Sequence, residues 1–121
     1  MKLGRTTPIL RIFDLDKARE FYVDFLGFAI DWEHRFGEDF PAYLQVSRGD
    51  CLLHLSEHHG DATPGSRVIV EVSGIDELQR ELSGREYRYL KPVVEDTEWG
   101  SRIMSVTDPF GNRLTFSQPG G

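Results

Sequence analysis

Three of the four histidines lie close together in the sequence, and histidine is well suited to bind a metal ion or to move a proton. His54 interrupts an apolar run, whereas His58 and His59 belong to the polar segment that follows. The alternation of a strand would place His54 and Ser56 on one face. Adjacent histidines in a loop are usually solvated, so a metal site built from these three histidines stays an alternative to the main hypothesis.

Other catalytic patterns are weak in this sequence. It contains neither a glycine-rich phosphate loop nor the lysine that accompanies one. Ser56 and Ser66 stand in no motif that would activate a hydroxyl as a nucleophile. Carboxylates cluster at residues 95–98, but paired acid and base catalysis needs a facing geometry that spacing alone does not define. The sequence therefore predicts no catalytic residues.

Length and composition describe one globular domain with an acidic balance. The chain has 121 residues, 39% of them hydrophobic, and a net charge of −6. Without basic clusters to neutralise phosphates, nucleic-acid binding is disfavoured, whereas an acidic protein can attract a cationic ligand. No apolar run approaches the ~20 residues of a membrane span. The N-terminus lacks the apolar region of a secretory signal, and the single cysteine, Cys51, suits a reducing compartment, so we expect a cytoplasmic protein with no membrane partner.

A faint internal repeat organises the chain. Residues 8–13 predict a strand, Asp14 begins a helical pattern, and Gly27 ends it. About sixty residues later the pattern returns, with a strand over 67–72 and a helix. In this second helix Ser73 is the predicted N-cap, Ile75, Leu78 and Leu82 share one face, and Gly84 is the stop.

Strand patterns follow each predicted helix, and they complete two similar modules. One helix cannot cover the sheet of its own module, but two modules can set their sheets together and enclose a cavity. The predicted fold is therefore a single α+β domain of two strand–helix–strand–strand–strand (βαβββ) modules with curved mixed sheets, module one over about 1–58 and module two over about 66–118. The strands after the helices are predicted at 28–33, 41–47 and 51–56, and at 89–94, 101–107 and 112–117.

Two segments carry a family resemblance: Ile12-Phe13-Asp14-Leu15-Asp16-Lys17-Ala18-Arg19-Glu20-Phe21-Tyr22 with Phe25-Leu26-Gly27-Phe28, and the turn Asp108-Pro109-Phe110-Gly111-Asn112 with Leu114 and Phe116. They resemble the first module and the closing hairpin of the vicinal oxygen chelate superfamily, and the resemblance spans nearly the whole chain. This superfamily contains glyoxalases, extradiol dioxygenases, fosfomycin-modifying enzymes and bleomycin resistance proteins. The fold that the resemblance implies is the one predicted above, but such a fold serves enzymes and pure binders alike.

The resemblance also implies where a metal would be held. Enzymes of this superfamily usually bind a divalent metal through four side chains, and the corresponding positions here are Thr7, His54, Arg67 and Thr115. Only His54 is a ligand type, and a guanidinium has no lone pair to offer. We therefore expect no metal and no cofactor. A metal-dependent glyoxalase-like or dioxygenase-like enzyme with a rearranged ligand set around His54 is the alternative.

The bleomycin-resistance branch fits the remaining motifs better. Its opening resembles Thr7-Pro8-Ile9-Leu10, and its Trp-Gly stretch resembles residues 98–102 ahead of the 108–112 turn. Members of this branch bind their drug without a metal of their own. The resemblance implies a homodimer with grooves at the subunit interface and an N-terminal arm that crosses to the partner.

By this resemblance, the function is binding of a small molecule, with sequestration of a bleomycin-type glycopeptide as the leading case. An aromatic or cationic metabolite is the other ligand class. Flat aromatic walls would stack on such a ligand, and acidic groups at the mouth would attract its cationic tail. The predicted aromatic walls are Trp32, Phe40 and Trp99, and the acidic groups are Asp31, Glu33, Glu38 and Asp39. The predicted ligand-binding set is Asp31, Trp32, Phe40, His54, Ser56, Trp99, Gly100 and Arg102.

Overall fold

Two βαβββ units, each with its own mixed sheet, build the chain, and this confirms the predicted α+β fold. The computed structural model describes residues 1–35, 37–87 and 90–120. No helix within these ranges is long and apolar enough to cross a membrane. The strands are β1 (Ile9–Arg11), β2 (Ala29–His34), β3 (Tyr43–Arg48), β4 (Cys51–Ser56), β5 (Arg67–Glu71), β6 (Glu95–Asp96), β7 (Arg102–Thr107) and β8 (Arg113–Gln118), and the helices are α1 (Leu15–Ala18, continued as a π-helix over Arg19–Phe25) and α2 (Ile75–Ser83).

The two sheets repeat the same strand order. Sheet one runs β1-β4-β3-β2 and sheet two runs β5-β8-β7-β6. In each, the outer strand before the helix pairs in parallel with the last strand of the module, and the other pairs are antiparallel. The parallel strand pair of one sheet corresponds to that of the other. Ile9 of β1 lies opposite His54 of β4, and Ile69 of β5 lies opposite Thr115 of β8.

The first helix begins and ends where the sequence predicts. Asp14 caps it, since its carboxylate accepts a 2.9 Å hydrogen bond from the Lys17 backbone N–H. The helix widens to π geometry after Ala18, so that the Leu26 N–H reaches the Phe21 carbonyl. Gly27, with φ of 77°, then turns the chain out of the helix.

The predicted cap of α2 is wrong. The N-cap residue is Gly74, with φ of 86°, and not Ser73. Glycine has no side chain that could accept a hydrogen bond from the first turn. Instead, the Gln118 side-chain carbonyl accepts from the Gly74 and Ile75 N–H groups at 2.8 and 2.9 Å. The left-handed backbone favours glycine, and the last strand of the module supplies the missing acceptor.

The predicted strand at 89–94 is also wrong over its described part. Tyr89 lies outside the described residues, and residues 90–94 form no strand. Pro92 lacks the N–H that a sheet ladder needs, so pairing starts only at β6. The other strands agree with their predicted ranges to within two residues at each end.

One face of each sheet is buried, and the opposite face is open. In sheet one Leu44 and Val46 point into the core, and in sheet two Met104 and Val106 do the same. The open faces retain apolar groups: Trp32 on sheet one and Ile69 on sheet two are 43% and 76% exposed. A single chain thus presents two separate sheet faces to which a ligand or a partner has access.

Candidate ligand-binding site

Three rings form a cluster on the open face of sheet one. Trp32 and Tyr43 stack with centroids 5.9 Å apart and planes 8° from parallel. The His54 ring meets both edge-on, at 5.3 Å from Trp32 and 5.2 Å from Tyr43. Adjacent strands β2, β3 and β4 supply these three residues. The structure therefore joins two of the predicted site residues, Trp32 and His54, and adds Tyr43, which the sequence prediction missed.

A β-bulge brings Asp31 to the same face. Ile30 pairs with Val46, but Trp32 pairs with Gln45, so Asp31 is the extra residue in β2. Strict alternation would send Asp31 and Trp32 to opposite faces, and the bulge removes that constraint. The Asp31 carboxylate accepts 3.0 Å hydrogen bonds from the Gln45 amide and from the Ser47 hydroxyl, both on the open face.

A continuous hydrogen-bonded chain connects the acid to the rings. Gln45 Oε1 lies 2.9 Å from His54 Nε2, and the Tyr43 hydroxyl lies 2.7 Å from His54 Nδ1. Both ring nitrogens of His54 are therefore engaged. Gln45 was also missed, although the alternation of residues 43–47 around the apolar Leu44 and Val46 is a signal for this face.

The Tyr43 phenol is held in its protonated form. Its pKa is raised, first because burial disfavours the phenolate and then because the negative charge of Asp61 lies nearby. The hydroxyl therefore keeps its proton and can act as a hydrogen-bond donor to His54.

Ser56 pairs with Tyr43 on the neighbouring strand, but its side chain bonds to the segment that connects the two modules. Its hydroxyl donates to Asp61 Oδ2 at 2.6 Å and accepts from the His58 N–H at 3.0 Å. The side chain is fully buried. The described geometry thus gives Ser56 a role in fixing the turn after β4, and ligand contact by this residue stays a prediction.

Phe40 lines a different depression. It is 58% exposed and borders an open pocket of about 310 Å³ together with Arg35, Glu38, Asp39, Pro41 and Glu57. Among the ring contacts of the described residues none joins Phe40 to Trp32. Glu33, another of the predicted acidic groups, already forms a 2.7 Å ion pair with Arg19. Contact of Phe40, Glu38 or Asp39 with the same ligand remains a prediction.

The remaining predicted residues belong to module two. Trp99 is 78% exposed in the turn before β7, and Gly100 holds that turn with φ of 88°. The Arg102 guanidinium forms ion pairs with Asp76 at 2.6 Å and Asp96 at 3.2 Å. These contacts stay within module two, so a single chain does not join Trp99, Gly100 or Arg102 to the ring cluster of sheet one through any described contact.

The four positions that the resemblance assigns to a metal do not fit one. His54 has both ring nitrogens in hydrogen bonds, and the Thr115 hydroxyl pairs with Ser105 at 3.0 Å. Thr7 offers only a hydroxyl, and Arg67 offers no lone pair. Over residues 1–35, 37–87 and 90–120, no group of three or more histidine, cysteine, aspartate or glutamate side chains is arranged to hold a metal ion.

The alternative histidine cluster does not assemble either. The rings of His58 and His59 stack on one another at 5.3 Å, and His58 Nδ1 accepts from the Gly60 N–H at 3.2 Å. Neither ring has a described contact with His54. The described residues therefore supply a binding face with aromatic and polar groups, and no ligand set for a divalent cation.

Known proteins resemble the chain over its whole length. The family model described as glyoxalase superfamily protein matches residues 1–120. The bleomycin-binding protein of bleomycin-producing Streptomyces verticillus, solved with copper(II)-bleomycin, is 30% identical, with 100% of this chain and 98% of that chain covered and a TM-score of 0.70. A bleomycin resistance determinant encoded on the transposon Tn5 is 24% identical over 97% of this chain and 98% of its own, with a TM-score of 0.73.

An antibiotic binding protein from Streptomyces sp. CB03234 is 23% identical over 98% of both chains, with a TM-score of 0.71. The Tn5 determinant and this antibiotic binding protein are both less than 25% identical to this chain, so they support its fold and nothing more. Among proteins of curated function, no relative matches this chain.

Proposed function

Because this chain belongs to the glyoxalase superfamily, we propose that it is a small-molecule binding protein of the bleomycin-resistance branch that sequesters a bleomycin-type antibiotic. The observation that carries this proposal is the Trp32–Tyr43 stack with the Asp31 carboxylate on the same open face. No nucleophile or general base is needed, because the protein would act by withholding the drug from DNA.

The ring cluster suits a flat cationic ligand. An aromatic ligand placed against Trp32 gains roughly 0.5–1.5 kcal/mol beyond simple burial. Asp31 lies on the same face as the stack, and the chain as a whole carries a net charge of −6, which attracts cationic ligands. A bleomycin-type glycopeptide combines a flat bithiazole with a cationic tail, and both parts find a complement in these groups.

We further propose that the binding groove is completed by a second copy of the chain. Sheet one carries the ring cluster, whereas the exposed Ile69 lies on sheet two and the exposed Trp99 lies in the turn between two strands of that sheet. A homodimer that sets sheet two of one subunit over sheet one of the other would cover both open faces. It would also bring the predicted residues of both modules to one groove.

The metal-dependent enzyme receives less support from the residues. Its ligand set would have to include His54, and the two nitrogens of that ring already bond Tyr43 and Gln45. The competing ligand class is an aromatic or cationic metabolite, which the same face would bind by the same contacts. Expression in a bleomycin-sensitive host distinguishes the two, since a metabolite binder gives no gain in drug tolerance.

The direct test is a tryptophan-fluorescence titration with bleomycin, with and without copper. The chain has two tryptophans, so Trp99→Phe leaves Trp32 as the sole reporter and Trp32→Phe leaves Trp99. Saturable quenching in the micromolar range or tighter, roughly −8 kcal/mol or better, supports the proposal. A flat titration in both variants and in the wild type would remove bleomycin as the ligand.

A further inference from the structure

The hydrogen-bonded chain on sheet one has a direction that its acidic end determines. An ionised carboxylate only accepts hydrogen bonds, so the group that faces Asp31 must be a donor. Gln45 therefore turns its amide nitrogen to Asp31, at 3.0 Å, and its carbonyl oxygen to His54. The Ser47 hydroxyl donates to the other Asp31 oxygen, so it does not compete with Gln45 for the same acceptor atom.

The direction passes through the imidazole to the phenol. Because Gln45 Oε1 only accepts, His54 Nε2 must carry the proton at this 2.9 Å contact. In a neutral imidazole Nδ1 is then an acceptor, and the Tyr43 hydroxyl at 2.7 Å must donate to it. The raised pKa of Tyr43 supports this assignment, since the phenol keeps the proton that it donates.

We propose that Asp31, acting through Gln45 and His54, leaves the Tyr43 oxygen with lone pairs only, so that Tyr43 selects ligands that carry an N–H or O–H donor, an ammonium group above all. Tyr43 is then a specificity-determining residue and Asp31 a positioning residue. The inference rests on the proposed function in one respect, namely that a ligand occupies this face. The nearby negative charge of Asp61 favours the same class of ligand.

The donor and acceptor order of the hydrogen bonds from Asp31 through Gln45 and His54 to Tyr43 can be tested without any ligand. Long-range proton–nitrogen NMR at about pH 8, above the range in which most histidines lose their charge, reports which ring nitrogen carries the proton. His54→Gln identifies the signals against those of the other histidines. We expect His54 to carry its proton on Nε2 alone. In Asp31→Ala, Gln45 is free to flip, and the Nδ1–H tautomer should appear.

Ser47→Ala is the matched control, because it removes a partner of Asp31 and leaves Gln45 in contact with the acid. The His54 signals should not change in this variant. An Nδ1–H tautomer in the wild type, or identical signals in Asp31→Ala and the wild type, would overturn the assignment.

Ligand selection is tested with two probes that share one ring system, naphthylmethylammonium and naphthoate. Trp32 fluorescence in Trp99→Phe reports their binding. We expect the ammonium to bind at least about tenfold tighter, as a hydrogen bond to a charged donor implies. Tyr43→Phe keeps the stacked ring. Added to the Trp99→Phe variant, it should weaken the binding of the ammonium probe about tenfold and leave the affinity for naphthoate unchanged.

Two results would overturn the selective role of Tyr43: no preference for the ammonium probe, which includes no binding of either probe, or the same ammonium affinity with Phe at position 43. The Tyr43 variant also separates the hydroxyl from the attraction of Asp31, which it retains. A flat bleomycin titration together with the expected tautomer and probe preference would remove the drug and leave the selection of donors standing.

Discussion

The Tyr22 hydroxyl donates a 2.6 Å hydrogen bond to Asp108 Oδ2 across 86 residues of sequence, and the two side chains are buried where the modules meet. Asp108 also accepts from the backbone N–H groups of Phe110 and Asn112. The Asn112 amide donates back to Asp108 and to the Arg11 carbonyl of β1. The closing turn of module two is thus tied to the helix and the first strand of module one.

Replacing Tyr22 by Phe should destabilise the protein because it removes one donor from a buried carboxylate. A hydrogen bond to a charged group contributes about 1.5–3 kcal/mol, and we expect a loss of about 2 kcal/mol in the free energy of unfolding in urea. Tyr43→Phe, at a half-buried position, should cost less. Equal stabilities of Tyr22→Phe and the wild type would contradict this role of the bond.

Alkaline pH should weaken the same junction. Burial, followed by the charge of Asp108, raises the pKa of Tyr22 well above its ordinary value. An unfolded tyrosine ionises near about pH 10, so above that pH the unfolded state releases a proton that the folded state keeps. The contribution of the protonated Tyr22 hydroxyl to the free energy of unfolding is fully present below about pH 10 and is lost as the pH rises toward the pKa of Tyr22 in the folded state. Urea unfolding at about pH 9 to 11 should show a steeper loss for the wild type than for Tyr22→Phe, and parallel losses would contradict it.

The fold was predictable because its signals are local and repeated. Asp14 and Gly27 delimit the first helix by their own chemistry, as the structure confirms. The cap of α2 was not predictable in this way. Its acceptor is Gln118, which is distant in sequence and becomes a neighbour only after the sheet has formed. Ser73 is a reasonable local choice, but the left-handed Gly74 takes the cap position.

The candidate site shows the same limit. The sequence predicts Trp32, Asp31 and His54 as ligand-binding residues, and the structure places these three side chains on one face of sheet one. It did not identify Tyr43 or Gln45, because alternation defines a face and does not reveal which of its side chains bond one another. The bulge at Asp31 was equally hidden, since it depends on how β2 pairs with β3.

Removing divalent metals should leave the protein unchanged. Of the four positions of the family's metal site only His54 is a ligand type, and both of its ring nitrogens are bonded. We expect the melting temperature and the bleomycin titration to be the same with and without a chelator. Zinc that co-purifies in stoichiometric amount and raises the melting temperature would contradict this expectation. A variant with His58 and His59 both changed to Gln controls for loose binding by the connector.

Lysine in place of Ile69 should disrupt the proposed dimer. Ile69 is 76% exposed on the open face of sheet two, so the substitution costs little in an isolated chain. In a dimer that covers this face it would bury an unpaired charge, which costs several kcal/mol. Sedimentation should give a dimer for the wild type and a monomer for Ile69→Lys. A wild-type monomer, or a variant that dimerises equally well, would contradict the proposed arrangement.

Mixing two tryptophan variants should test whether the groove is shared. Trp32→Ala and Trp99→Ala should each weaken bleomycin binding about tenfold or more, because each loses an aromatic wall. If Trp32 of one subunit faces Trp99 of the other, a hybrid dimer of the two variants contains one groove with both tryptophans and one with neither. Binding should then return for about half of the grooves in hybrid dimers, as measured by calorimetry after subunit exchange. A mixture that binds as weakly as its components, with hybrids shown to form, would mean that the two tryptophans serve one groove within a single chain or that only one of them touches the ligand.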